Sequence, residues 1–571
     1  MARPSERPDP AQLPDPATVP RPWIGGYPPG VPPTYAVPAV ALPRLLDDAA
    51  RDFPERAAVL VEGRETSYVE LRDHVDALAA GLAEHGVAAG DRVLVAVPTT
   101  EVAPVALFAL WRLGAVAVPV DPELRSDRLA AVVRDADVAA ALVTDGARRS
   151  LRQEQARPPL VVRVDGDEHR PEGRWRDRLR DRLPRPGRRA TATTEDPTPG
   201  TLALRDLVRG SVPRTATTPP VASDLALLAY RPRARELRGV ELTHGNLVAN
   251  AFQGRLWAPD VQAGRERILV TDPLHLTVPL TLGVLTGVLA AATLVLVDRP
   301  DAAALARAVD RDAPTLWPTG PDRLVQLLAA DDAHKRDLTS LRVVVTGGGP
   351  LPATVAAELE RRTGGARVRE GYGLAEASPL THAQPVYGKV VPGSIGLPVT
   401  DTVALVVDAD DLVTPCAVGE PGMLLVHGPQ VAAGYWRRPE ATAAAFRDGY
   451  VVTGDLAVVD EAGVFTLIGR VDEVVRRDGE LVAPRDVEAV LERHPTVARA
   501  VVVTDGDDAP LIAAVVARRR RRLDPAALLD HCRAHLAATA VPDHVEVLDE
   551  LPEDDAGEVA RDQVRRQLVG R

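Results

Sequence analysis

Gly371-Tyr-Gly-Leu-Ala-Glu-Ala-Ser-Pro379 follows the glycine turn Thr346-Gly-Gly-Gly-Pro350, and the apolar run Val343–Thr346 leads into that turn. A β-branched run that stops at successive glycines reads as a buried strand entering a turn where backbone approaches something closely. The same rhythm recurs upstream. Gly90-Asp-Arg-Val-Leu-Val-Ala-Val97 and Gly114-Ala-Val-Ala-Val-Pro-Val120 are turns followed by buried strands, and Leu71, Val75, Leu78 and Leu82 give Val69–Leu82 helical spacing. Leu225–Ala229, Leu424–Val426 and Val464–Ile468 are further strand-like runs. Strands separated by helices imply βαβ units and a parallel sheet, so the fold class is α/β.

Beyond Arg470 the pattern tightens. Asp486–Glu492 reads as a helix, Ala498–Val503 and Leu511–Ala517 as strands, and Pro525–Leu536 as a helix. This predicts a separate small α+β domain of about a hundred residues. The expected boundaries are a Pro-rich arm over 1–40, a large domain over 41–471 and a small domain over 472–571. The arm is expected to be a surface wrap or disordered. Asp165 to Pro220, rich in Arg, Pro, Thr and acidic residues, reads as a surface insertion whose arginines either are solvated or meet an anionic partner. The run Arg518 to Arg522 is likewise either a solvated turn or a dock for phosphates or an acidic carrier protein.

Composition narrows the classes. The chain has 571 residues, a net charge of −12 and only two cysteines, Cys416 and Cys532. That excludes a disulfide framework and argues against a general nucleic-acid binder. Leu276 to Val297 carries no charge and is long enough to span a bilayer. Its Pro279, Gly283, Gly287 and threonines, and its strand-like end, predict a core helix followed by a strand instead, with no membrane span. The N-terminal stretch has no apolar core of a secretory signal, so the expected localisation is cytoplasmic. Lys335 and Lys389 are the only lysines among 68 basic residues, which leaves two candidates for any lysine-dependent step. No metal cluster, Ser-His-Asp triad or Walker-type loop is recognisable.

Four segments in order resemble a known family: Gly371–Pro379 after its glycine turn; Thr453-Gly-Asp455 after Gly434-Tyr-Trp436; Gly469-Arg-Val-Asp-Glu-Val474 leading into Asp478-Gly479 and Pro484-Arg-Asp-Val-Glu488; and Leu551-Pro552 through Gly557. Together they resemble the adenylate-forming superfamily, and within it the AMP-forming acyl-CoA synthetases. The resemblance implies a large N-terminal domain of βαβ-type sheets with a small mobile C-terminal domain. It also implies a two-step reaction. A carboxylic acid is joined to AMP using ATP and magnesium, and the acyl group then passes to the thiol of coenzyme A. Positioning and positive electrostatics supply most of the catalysis in such transfers.

Site residues follow from the resemblance, one position at a time. Asp455 matches the carboxylate that accepts the ribose hydroxyls, and Arg470 its partner at the same sugar. Tyr372 matches the aromatic that stacks on adenine, beside Gly373 and the turn Gly347, Gly348 and Gly349. Glu376 matches the magnesium-binding carboxylate, Asp472 the hinge, and Gly479 a residue shaping the thiol tunnel. His275 lies one position from a histidine near the acyl pocket.

Other positions depart from the family. The phosphate loop reads Tyr230-Arg-Pro-Arg-Ala-Arg-Glu-Leu-Arg-Gly239, with Arg231, Arg233, Arg235 and Arg238 and no glycine, serine or threonine between its ends. Such a loop cannot easily bring backbone N–H groups to phosphates. Arg238 stands in place of a lysine and Ala375 in place of a threonine. Glu558 replaces the lysine that bridges carboxylate and α-phosphate. One charge pair at about 4 Å is worth ~4 kcal/mol at an effective dielectric of about 20, so reversing a sign there costs up to ~8 kcal/mol. Half of that is on the order of a thousandfold in rate. The sequence therefore reads first as a family member with weakened or lost adenylation, a pseudoenzyme binding an acyl- or AMP-type ligand, or a carrier-protein or paralogue partner. Two alternatives stand beside it. One is a working acyl-CoA or acyl-AMP ligase for a fatty or aryl acid; the other is survival of thioester formation alone from a supplied acyl-adenylate.

Overall fold

In the computed structural model of the protein, residues 12–164, 201–208, 218–230, 236–330, 333–518, 521–552 and 559–568 are described. The chain divides into two compact units. The first comprises Met1–Ala404, Leu425–Val452 and Glu461–Phe465; the second comprises Leu405–Leu424, Thr453–Asp460 and Thr466–Arg571.

The first unit is built on two large sheets. One has seven strands in the order Thr201–Ala203, Leu160–Arg163, Ala140–Val143, Arg92–Ala96, Val116–Pro119, Leu225–Tyr230 and Gly239–Thr243. All of its pairings are parallel except the last. The other has nine strands, parallel at its centre, where Arg267–Val270, Leu316–Thr319, Val343–Thr346 and Arg367–Gly373 lie in that order. Both central runs are buried on both faces, as period-two alternation shows. Val93 and Val95 join the core that also contains helices Tyr68–Glu84 and Val102–Arg112, whereas Leu94 and Ala96 pack with helix Ser126–Ala136.

Helix Val102–Arg112 explains the layering. Every residue from Val102 to Trp111 is buried, so it has no polar face and must lie between layers. Trp111 Nε1 donates to the carbonyl of Ala226 in the seven-stranded sheet at 2.9 Å. On the neighbouring helix, the Tyr68 hydroxyl donates to the carbonyl of Ala292 at 2.7 Å, just before strand Thr293–Leu296 of the nine-stranded sheet. The two helices therefore fill the space between the sheets. That helix starts on a capping box of Ser67 and Glu70, one turn before the spacing in the sequence becomes visible.

The uncharged stretch 276–297 behaves as expected: a π-helical turn Pro279–Leu285, helix Thr286–Leu289 and strand Thr293–Leu296. Among the described residues no helix is long and apolar enough to cross a membrane. Of the two states expected for the arm, residues 12–40 adopt the wrap. Tyr27 donates to the carbonyl of Pro398 at 2.7 Å and Thr400 to that of Pro32 at 2.9 Å, with Trp23 buried against Phe465. One expectation is corrected. Within the stretch read as a surface insertion, Thr201–Ala203 extends the seven-stranded sheet and Leu204 and Leu207 are buried, because Gly81 leaves room for the Leu207 backbone. Residues 165–200 and 209–217 of that stretch lie outside the described residues.

In the second unit, strands Val497–Val503, Ile512–Ala517 and His544–Leu548 form one sheet, antiparallel then parallel. Helices Pro484–Glu492 and Pro525–His535 contribute to the core on one face and helix Arg561–Leu568 to that on the other. The preceding hairpin turns at Asp478 (φ 51°) and Gly479 (φ 83°), the two left-handed residues that a tight two-residue turn requires.

Candidate functional site

The predicted site residues divide between the two units. In the first, parallel strands Val343–Thr346 and Arg367–Gly373 deliver two turns side by side. A Cβ on Gly347 would lie 2.7 Å from the carbonyl oxygen of Gly371, and Gly348 has φ 88°. Gly349 completes this turn, and its position has no atom closer than Pro321 at 3.8 Å. The Gly371–Pro379 loop then closes on itself. The Leu374 amide donates to the carbonyl of Pro379 at 3.0 Å, and a Cβ on Gly373 would fall 1.8 Å from that oxygen. Only glycine fits there.

Tyr372 is half-buried, with its ring edge-on to His382 at 5.8 Å, and His382 in turn meets Phe465 at 4.8 Å. Burial holds the His382 imidazole neutral, with its pKa lowered to about 3. A buried amide network fixes the exit of the loop. Asn250 accepts from the Leu380 amide at 3.0 Å and donates to its carbonyl at 2.8 Å, and it also donates to Gln253 at 2.8 Å. Gln253 donates to Gln430 at 3.0 Å, and the Ser378 hydroxyl donates to the Gln430 carbonyl at 2.9 Å.

Glu376 sits in the short turn Ala375–Ala377, with Ala375 buried beside it. Its main-chain carbonyl accepts from the Ala432 amide at 2.8 Å, and its Oε1 accepts from the Tyr435 hydroxyl at 2.9 Å. Burial first, and then the Glu376 charge, push the Tyr435 phenol well above its usual range. The Arg238 guanidinium lies over the Tyr435 ring, 5.4 Å from its centroid, and is ion-paired with Glu236. An acidic oxygen donor and a guanidinium thus flank one phenol. A carboxylate in this setting suits Mg2+, which nucleotide sites hold with one or two carboxylates plus phosphate oxygens. No group of three His, Cys, Asp or Glu side chains among the described residues is placed to hold a metal by itself.

The ends of the predicted phosphate loop are strand partners, Tyr230 opposite Gly239. Tyr230 is buried and its hydroxyl donates to Asp135 Oδ2 at 2.7 Å, while Asp135 also pairs with Arg438. A Cβ on Gly239 would lie 2.7 Å from the Tyr230 ring. Tyr230 is a strut at the base of the loop. Arg231, Arg233 and Arg235 lie outside the described residues. His275 is half-buried at the head of the apolar segment, in the field of Asp121.

In the second unit, Asp455 Oδ1 and Arg470 Nη1 are 3.8 Å apart. Arg470 also donates to the Thr453 carbonyl at 3.1 Å and reaches Asp472 Oδ1 at 3.3 Å. Gly454 (φ 76°) makes this possible, since a Cβ there would lie 2.9 Å from the guanidinium. Asp472 is exposed in the turn after Arg470. Gly557 and Glu558 lie outside the described residues. Their downstream flank is anchored, with Ala560 donating to the Pro552 carbonyl at 2.8 Å and Arg561 paired with buried Glu488 at 2.6 Å.

Sequence reading missed Tyr435, although it lies inside the quoted Gly434-Tyr-Trp436, and missed Asn250, Gln253 and Gln430. Apolar periodicity gives no weight to a buried amide, so the only signal for these was their polar type inside helical or strand-flanking runs.

Comparison with known proteins follows the same division. The model of the AMP-binding enzyme family matches residues 46–436, and that of the AMP-binding enzyme C-terminal domain matches residues 486–558. The chain is 30% identical to a long-chain-fatty-acid–CoA ligase of Bacillus subtilis, covering 95% of this chain and 97% of that one. It is 32% identical to a feruloyl-CoA synthase of Amycolatopsis sp, with 91% and 97% covered. Among solved structures, the anthranilate CoA ligase AuaEII in complex with anthranoyl-AMP superposes with a TM-score of 0.79 at 21% identity, covering 93% and 98%.

Proposed function

The chain belongs to the AMP-binding enzyme family, and from that premise we propose that it is an AMP-forming ligase joining a fatty or aryl carboxylic acid to coenzyme A with ATP. The observation that carries this reading is the Gly371–Pro379 loop, closed around Gly373, which presents Tyr372 and Glu376 beside the Gly347–Gly349 turn. Full-length relatives whose names are those of CoA ligases favour a working enzyme over the weakened one that the motifs first suggest. Those names also supply both acid classes.

In this reading Tyr372 stacks on adenine and the turn glycines let the nucleotide lie against bare backbone. Asp455 accepts the ribose hydroxyls, held at that sugar by Arg470. Glu376 would hold Mg2+, which when bound neutralises phosphate charge. Arg238 offers a bidentate donor to the phosphates where a lysine would act as a point charge. Adenylation makes the acyl-adenylate and releases pyrophosphate; attack by the coenzyme A thiol on the acyl carbon then releases AMP. Asp472 serves as the hinge between a large domain over 41–471 and a small one over 472–571, with Gly479 beside the thiol path and His275 near the acid.

Glu558 favours a second reading, in which the adenylation step is slow. Pyrophosphate exchange against fatty and aryl acids separates the two, with Glu558→Lys alongside. Robust wild-type exchange is expected for the ligase. Exchange that appears only in Glu558→Lys overturns it in favour of weakened adenylation on an otherwise intact site.

A further inference from the structure

We propose that Tyr435 is a positioning residue for the phosphate end of this site: its hydroxyl orients the Glu376 carboxylate and its ring seats the Arg238 guanidinium. The inference rests on the ligase reading of Glu376 and deepens it. Three observations support it.

The phenol itself is fixed. The Tyr435 amide donates to the Thr442 hydroxyl at 2.9 Å, its backbone bridges to Val240 next to Gly239, and its ring packs edge-on against Phe446 at 5.5 Å. Gly434 allows the turn to press against Thr442, since a Cβ there would lie 2.5 Å from that side chain. Second, the Glu376 turn is tied to this segment twice, by the Ala432 amide and by the Tyr435 hydroxyl. A carboxylate on a flexible stem loses its freedom only when both ends of the residue are held. Third, the same ring carries Arg238, the cation nearest the end of the phosphate loop among its described residues. One aromatic therefore sets the spacing of an acidic and a basic group that face the same phosphates in the ligase reading. The ring also gives the cation at 238 an aromatic face to rest against, at a cation–π distance of 5.4 Å from the centroid.

Partners of a metal-binding carboxylate typically contribute 10–100-fold in metal affinity. The test reads binding, not turnover. ATP binding is titrated with Mg2+ by calorimetry in the wild type, Tyr435→Phe and Glu376→Ala, and AMP binding is measured without metal in each. Tyr435→Phe keeps the ring face beside Arg238 and removes the hydroxyl, which meets both the Glu376 carboxylate and the Arg238 side chain. The half-saturating Mg2+ concentration is expected to rise by about 10–100-fold in Tyr435→Phe with AMP affinity unchanged, a split that general loosening of the fold would not produce. Glu376→Ala is expected to abolish the Mg2+ response. If Glu376→Ala abolishes it and Tyr435→Phe responds as wild type does, the role of Tyr435 is overturned while the ligase reading stands. If wild-type ATP binding ignores Mg2+, both are overturned together.

Discussion

Replacing Asn250 with alanine tests whether the buried amide network holds the site loop in place. Asn250 is fully buried and acts toward Leu380 as a strand partner would, accepting from its amide at 3.0 Å and donating to its carbonyl at 2.8 Å. Alanine leaves both backbone groups, and the Gln253 oxygen bonded at 2.8 Å, without that partner in the interior. Each unsatisfied buried group costs about 1–3 kcal/mol, so two backbone groups alone give about 2–6 kcal/mol. Partial relaxation, or a water entering the space, brings the expected loss to about 3 kcal/mol. That is a large share of a typical total stability of about 5–15 kcal/mol. Urea unfolding followed by tryptophan emission measures it, since the five tryptophans among the described residues all lie in the first unit. AMP affinity should fall in parallel, because Leu380 directly follows the Gly371–Pro379 loop. A loss below about 1 kcal/mol, with AMP binding intact, would refute the idea that Asn250 supports the loop.

Two further outcomes are expected. His244 and His382 are both fully buried, and desolvation lowers their pKa values to about 4 and about 3. The unfolded chain takes up protons near pH ~6.5 that the folded chain refuses, so stability is complete above that pH and falls as pH drops below it. Each histidine adds a slope of up to ~1.4 kcal/mol per pH unit, and His382→Gln should remove one such contribution from urea midpoints compared at about pH 7 and about pH 5. Gly454→Ala places a methyl 2.9 Å from the Arg470 guanidinium at φ 76°. Displacing Arg470 from Asp455, with left-handed strain of about 1–2 kcal/mol, should weaken AMP binding about tenfold by calorimetry; unchanged affinity removes Arg470 from the ribose site.

Much of this was legible from residue order, for identifiable reasons. Val343–Thr346 was readable because a β-branched run ending in glycines has few other conformations open to it. Val102–Arg112 gave no period, because a helix buried between two sheets is apolar all round and loses the contrast on which a period depends. Leu204 and Leu207 were hidden inside a charged, Pro-rich stretch whose average character is that of a loop. At the site, the glycines announced where backbone must come close, and their close contacts at 347 and 373 agree. Tyr230 was assigned by its place in a motif and is found bonded to Asp135, a partner far away in sequence. Tyr435 escaped notice for the same reason: its meaning depends on Glu376 and Arg238, brought to it from segments far away in sequence.

The wrapped arm bears on how the chain is made. Its hydrogen bonds join Leu13 to Asp448, Pro14 to Tyr450, Tyr27 to Pro398 and Pro32 to Thr400, across sequence separations of 435, 436, 371 and 368 residues. During synthesis, residues 12–40 leave the ribosome long before any of these partners exists. At roughly 5–20 residues per second they wait on the order of half a minute, exposing Trp23 and its neighbours to solvent or to a chaperone. The first unit is thus fastened late, by a segment translated well before the partners that hold it.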